Sequence, residues 1–131
     1  MLVAVGSPDR RVVVATDSAR RIPAAVHRAV HVATDPWRVD VLGQWWTGQE
    51  LDGIELEVLE DRGGVAATIA AEARDVLAQG NAEVLVVVGQ LVARGGGRRL
   101  LRHRNTAESI CTAIDRIPGA ACLLVIVPAD R

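Results

Sequence analysis

Lysine, tyrosine and phenylalanine are absent from the 131-residue chain, and all 15 of its basic residues are arginine. Without lysine the chain can supply no P-loop lysine, no Schiff base and no lysine general base. Without tyrosine it has no tyrosine acid–base catalysis. The composition therefore excludes several classes of enzyme before any motif is considered.

Net charge is also nearly absent, because 15 arginines and 16 acidic residues sum to −1. The molecule as a whole has no reason to attract nucleic acid or anionic lipid. No segment reaches the ~18 consecutive apolar residues that a membrane span requires. Half of the residues are hydrophobic, which is enough to bury a core. We therefore expect a single domain over residues 1–131, located in the cytoplasm, with no nucleic acid partner.

The two cysteines, Cys111 and Cys122, are too few for a disulfide scaffold. Cys111 falls on the apolar face of the last predicted helix, and Cys122 falls in the last predicted strand. We expect both to be small core residues in a reducing compartment.

Apolar runs alternate with helical periodicities along the chain, which is typical of a parallel sheet covered by helices on both faces. The prediction is an α/β fold, a three-layer sandwich around a mainly parallel five-stranded sheet. Residues 2–5 fit either an extra short strand or an ordered tail. The predicted strands are 12–15, 38–42, 54–59, 83–88 and 121–127, and the predicted helices are 22–33, 63–79 and 106–117.

The connection between the second and third predicted strands is short, since it contains only residues 44–53. A parallel crossover usually needs a dozen or more residues. Trp45 and Trp46 lie in this connection. They either plug a thinly covered face of the sheet or form an apolar patch that a second subunit covers.

A loop rich in glycine and arginine, residues 94–99, lies between the fourth predicted strand and the last predicted helix. Backbone N–H groups of such a loop and the positive end of a helix can hold a phosphate. Five arginines with no acid among them could attract a polyanion: Arg94, Arg98, Arg99, Arg102 and Arg104. The alternative is a purely structural role. The glycines would then form a flexible loop, and Asn105 with Glu108 would form a helix capping box that needs no ligand.

Catalytic and metal-binding patterns are weak. None of the three serines stands in a Gly-x-Ser-x-Gly setting. His27 and His31 are four residues apart on a predicted helix, a spacing that can supply two metal ligands, but nothing completes the site. We therefore expect a non-catalytic protein without a metal.

The chain resembles the universal stress protein family along nearly its whole length. The resemblance rests on an apolar run ending at Asp17-Ser18, a second run ending at Gly89, a glycine-bearing loop, and a last run ending at Val127-Pro128. It implies a five-stranded parallel sheet of the adenine nucleotide alpha hydrolase-like type, and a homodimer.

Nucleotide-binding members of that family carry Gly-x2-Gly-x9-Gly-Ser/Thr after the fourth strand. Gly95 and Asn105-Thr106 align with the second half of this motif, with Asn105 in place of a glycine and Val92 in place of the first glycine. The resemblance implies a site for ATP, ADP or AMP. Its expected residues are Asp17, Gly89, Gly95, Gly97, Asn105 and Thr106.

A narrower resemblance links residues 101–107 and 125–128 to the cytosolic C-terminal domain of some bacterial amino acid permeases, which is itself similar to universal stress proteins. It implies a domain tethered to a membrane transporter. Two functions therefore stay open. One is a non-catalytic regulatory domain that senses an adenine nucleotide or phosphate ligand, and the other is a partner-binding transporter domain with no nucleotide site.

Overall fold

The computed structural model describes residues 1–6, 10–23, 27–48, 54–81, 83–92 and 106–128. Strands and helices alternate along these residues, and every sheet neighbour pairs in parallel. The predicted five-stranded α/β fold is confirmed. The elements are β1 Leu2–Ala4, α1 Arg10–Arg20, β2 Arg28–Ala33, α2 Pro36–Gly48, β3 Glu55–Glu60, α3 Val65–Ala78, β4 Val84–Val92, α4 Thr106–Asp115 and β5 Ala120–Pro128.

The sheet has the strand order β3-β2-β1-β4-β5, with β1 at its centre. Residues 2–5, for which the sequence left two alternatives, thus supply the central strand. Two apolar clusters lie on opposite faces of the sheet. Leu2, Val30 and Val86 point to the cluster under α3 and α4, and their chain neighbours Val3, Ala29 and Val87 point to the cluster under α1 and α2. This alternation gives the three layers.

The first third of the chain differs from the sequence prediction. Residues 12–15 were expected to be a strand, but they lie within α1. The buried positions Val12, Ala15, Thr16 and Ala19 have the i, i+3, i+4, i+7 spacing of a helix face. The run of three valines conceals that spacing, because a short β-branched run fits a buried strand equally well.

The predicted helix 22–33 is also wrong, since β2 occupies Arg28–Ala33 and is buried along most of its length. Asp35-Pro36, which follows the predicted helix and precedes the predicted strand 38–42, starts α2 instead. The backbone N–H of Trp37 donates to Asp35 Oδ1 at 3.0 Å, so Asp35 caps the helix and Pro36 occupies its first turn.

Helix α2 therefore replaces the strand predicted at 38–42 and supplies an ordinary helical crossover between β2 and β3. The connection is not short, and the sheet face is covered. Trp45 and Trp46 lie on α2, partly buried, and pack against the cluster that contains Leu42. Their placement agrees with the local-plug alternative.

From β3 onward the prediction holds more closely. Helices α3 and α4 and strands β3 and β5 lie where the sequence placed them, and Gly80, with φ of +97°, follows the end of α3. Strand β4 continues past the expected end at Gly89 to Val92, because β5 pairs with it throughout.

The cysteine prediction is wrong. Cys111 and Cys122 form a disulfide with a Cα–Cα distance of 5.2 Å. Both residues are partly buried. Helix α4 packs directly on β5, so the two side chains meet across that contact, and the bond ties the helix to the strand.

Thr68, in the first turn of α3, is buried and organises the β3–α3 loop. Its hydroxyl accepts a hydrogen bond from the Arg62 N–H at 2.8 Å and donates one to the Gly64 carbonyl at 2.7 Å. The loop also uses Asp61, whose carboxylate accepts from the Gly64 N–H at 2.7 Å. Thr68 thus satisfies backbone groups at the helix start that would otherwise lack partners.

We predict that Thr68→Val lowers the free energy of unfolding by about 1–3 kcal/mol, because the Arg62 N–H loses its acceptor in a part-buried position. Urea denaturation measures the change. Thr112→Val on the exposed face of α4 is the matched control and should change stability by less than about 0.5 kcal/mol. Equal effects of the two variants would contradict the role given to Thr68.

Candidate functional site

The central strand is shorter than its two neighbours at the carboxyl end of the sheet. β1 ends at Ala4, which pairs with Val30 of β2 and Val88 of β4, whereas β2 continues to Ala33 and β4 to Val92. A notch opens above the end of β1. It lies between the two halves of the sheet, at the topological switch point where parallel α/β folds bind ligands.

The notch holds a cavity of about 270 Å³, here called the crevice. Its walls are mostly aliphatic and come from both layers of helices and from the sheet: Val12, Val32, Val65, Ile69, Val88 and Ile110. Side chains with polar atoms line it at four positions: His31, Thr34, Arg38 and Thr106. An apolar cavity with a few convergent polar groups is the usual form of a small-molecule site.

His31 is the buried polar side chain of the crevice, with only 4% of its surface exposed. Its Nδ1 lies 2.8 Å from the carbonyl oxygen of Val5, just past the end of β1. A carbonyl only accepts, so Nδ1 carries a proton and donates. Nε2 is buried and has no hydrogen-bond partner among the described residues. In the neutral ring, Nε2 is therefore an unused acceptor.

Positive potential comes from the opposite side of the crevice and from its mouth. The first residues of α3 and α4, Val65 and Thr106, both line the cavity, and helix N-termini carry partial positive charge. Arg38 of α2 adds an exposed guanidinium. The described lining residues include no Asp or Glu. The arrangement favours an anionic group at the α4 end.

The expected site residues are distributed unequally. Gly89 and Thr106 line the crevice. Gly95, Gly97 and Asn105 lie outside the described residues. Asp17 was expected at the carboxyl end of a strand, and that placement is wrong: it lies inside α1 with its side chain exposed. The error follows from assigning residues 12–15 to a strand.

Sequence reasoning missed His31 and Arg38 as crevice residues. Once residues 22–33 are assigned to a helix, His31 falls towards its polar side and Arg38 falls at the start of a strand. The usable signal was the short, mostly apolar run Arg28–Ala33, which fits a buried strand and puts His31 near its carboxyl end. His27 lies before β2 and serves the end of α1 instead, with Nε2 3.0 Å from the Ile22 carbonyl oxygen.

The fold and the crevice together define a parallel α/β domain of the kind that receives ligands at the carboxyl ends of its strands. The family model of the KimA potassium transporter C-terminal domain matches residues 1–128, and the chain belongs to this family. No curated protein matches the chain. In the described part of the chain, no helix is both long enough and apolar enough to cross a membrane.

The family agrees with the transporter-domain resemblance drawn from the sequence. It differs in the solute named, since its description refers to a potassium transporter and the resemblance pointed to amino acid permeases. The universal stress protein resemblance and the nucleotide site stay predictions.

Proposed function

We propose that this chain is a non-catalytic regulatory domain of a potassium transporter, tethered on the cytoplasmic side of the membrane, and that its crevice binds an adenine nucleotide or a related phosphate ligand. The family match over residues 1–128 is the observation that carries the transporter role. The crevice at the carboxyl edge of the sheet supports the ligand role.

Binding in the crevice has a route to regulation. The lining residues come from β2 on one side of β1 and from β4 on the other, and from helices on both faces. A ligand seated there contacts both halves of the sheet at once. A ligand shifts an equilibrium between two conformations of a protein only if it binds one of them more tightly. A ligand that contacts both halves of the sheet meets this condition if the halves are placed differently in the two conformations.

A binding role is better supported than catalysis. The described lining residues offer no thiol and no carboxylate that could orient a base. The one imidazole among them, His31, donates from Nδ1 to the Val5 carbonyl oxygen. Nothing in this part of the crevice resembles a nucleophile held beside its base.

Self-association is the second part of the proposal, and the two edges of the sheet favour it unequally. The β3 edge carries three exposed glutamates, Glu55, Glu57 and Glu60, and charged edges resist strand pairing. The β5 edge instead exposes Leu123 and Ile126, the latter by 53%. An apolar edge strand suits a second copy of the chain, which agrees with the homodimer expected from the family resemblance.

We expect calorimetric titration to detect binding of ATP, ADP or AMP. Arg38→Ala should weaken the affinity about fivefold, because an exposed guanidinium contributes about 1 kcal/mol to an ionic contact. Arg74→Ala, on the exposed face of α3 and outside the crevice, is the matched control and should leave the affinity unchanged. No heat and no thermal shift at millimolar nucleotide would remove the ligand role and leave a partner-binding transporter domain.

We expect sedimentation velocity to give the mass of a dimer for the wild-type chain and of a monomer for Ile126→Lys, since the charge would be desolvated in the pairing edge. Val58→Lys is the control on the opposite edge, where Val58 is 44% exposed, and it should leave the mass unchanged. If Ile126→Lys sediments like wild type, the β5 edge is not the interface.

A further inference from the structure

The Cys111–Cys122 disulfide joins a helix that lines the crevice to the strand at one edge of the sheet. Helix α4 contributes Thr106, Ala107 and Ile110 to the wall of the crevice, and Cys111 is the residue after Ile110. Cys122 lies in β5, the last strand of the order β3-β2-β1-β4-β5. The bond therefore fixes one wall of the crevice to the edge of the sheet.

The helix and the strand are also held by contacts that do not involve sulfur. Ala107, Ile110 and Ile114 of α4 are buried in the cluster under α3 and α4, each with at most 4% of its surface exposed. Strand β5 pairs with β4 along its whole length. We therefore expect both elements to keep their places in the fold when the disulfide is open. The bond then adds a restraint on the motion of α4 relative to β5.

The two cysteines lie at the border of the apolar cluster. Both are partly buried and pack against the cluster, whereas its core members are fully buried. Thiol–disulfide exchange needs an attacking thiolate to reach one of the two sulfurs, so its rate depends on access. Because both residues keep part of their surface exposed, we expect a small dithiol to react with the bond in the folded domain.

The position of the pair favours a sensing role over a catalytic one. Disulfides in the cytoplasm are usually transient, and they serve catalysis or redox sensing. Reactive cysteines are typical of helix N-termini and of Cys-x-x-Cys motifs. Cys111 instead lies in the middle of α4, and Cys122 is 11 positions further along the chain.

We propose that Cys111 and Cys122 form a redox-sensitive switch. In the oxidised state the bond fixes α4 to β5, and in the reduced state the first turn of α4 is released, so that this wall of the crevice loosens. The inference goes beyond the proposed function and rests on it only for the cytoplasmic placement. The reductant is a dithiol, and the oxidant is a low-molecular-weight disulfide.

The chemical step is thiol–disulfide exchange. One thiolate of the reductant attacks a cysteine sulfur, which breaks the Cys111–Cys122 bond and forms a mixed disulfide, and the second thiol of the reductant then displaces that cysteine. Two electrons and two protons pass to the protein, which gains two thiols, while the reductant becomes a disulfide. Glutathione disulfide reverses the step, because it accepts two electrons and two protons and leaves as two molecules of glutathione.

Hydrogen exchange of the folded chain is the test, first after oxidation with glutathione disulfide and then after reduction with dithiothreitol. In a helix each N–H donates to the carbonyl four residues earlier, so the Ile110 N–H reports on Thr106 in the first turn of α4. The Ile69 N–H likewise reports on Val65 in α3, which also begins at the crevice but contains no cysteine. We expect reduction to speed exchange about tenfold at Ile110 and less than about twofold at Ile69.

The matched control is the double variant Cys111→Ser/Cys122→Ser, which removes both thiols of the chain. It should exchange like the reduced wild type, whether or not dithiothreitol is present. An effect of dithiothreitol on this variant would contradict the switch, since the reagent would then act elsewhere. If the variant does not fold, the oxidised and reduced wild-type chains still decide the inference.

Alkylation with iodoacetamide followed by mass spectrometry counts the free thiols in each state. Three results would overturn the switch: glutathione disulfide fails to form the bond, dithiothreitol opens it only when the chain unfolds, or exchange at Ile110 is the same in both states. The second result would make the bond a purely structural one. None of the three affects the ligand role, because no ligand is present in the experiment.

Discussion

The early end of β1 is the constraint on which the rest of the structure depends. A three-residue strand at the centre of the sheet, between neighbours that continue beyond it, necessarily leaves a notch at the carboxyl edge. Backbone groups at the end of β1 then need partners from elsewhere. The Val5 N–H finds the Val30 carbonyl at 2.9 Å, and the Val5 carbonyl finds His31. The crevice and its one buried imidazole thus follow from a single short strand.

The sequence predicted the second half of this fold well and the first half poorly, for an identifiable reason. From β3 onward, glycines mark the helix boundaries: Gly63 and Gly64 precede α3, Gly80 follows it and Gly119 precedes β5, all with positive φ. Between Val12 and Leu42 no such glycine is available. There a valine run was assigned to a strand, and the start of α2 at Asp35-Pro36 was missed, although a capping aspartate followed by proline marks a helix start.

The sequence predicted where in the fold the candidate site lies, but not which residues line it. Parallel strands place it at the carboxyl edge whatever the exact residues are, so Gly89 and Thr106 were foreseen. His31 and Arg38 were not, because a residue's place at that edge depends on register, and a wrong element assignment moves it away. Asp17 was placed at that edge by the same kind of error. Residues 12–15 were assigned to a strand that ends next to it, whereas Asp17 lies on the exposed side of a helix.

The crevice and the β5 edge are joined by shared elements. β4 lines the crevice at Gly89 and pairs with β5 along its whole length, and α4 begins at the crevice and is bonded to β5 through Cys111 and Cys122. A displacement of α4 at its first turn therefore has a covalent route to the edge strand. The disulfide transmits a change in the position of α4, but it creates no difference in binding free energy. Coupling to a ligand therefore requires two positions of α4 for which the ligand has different affinities.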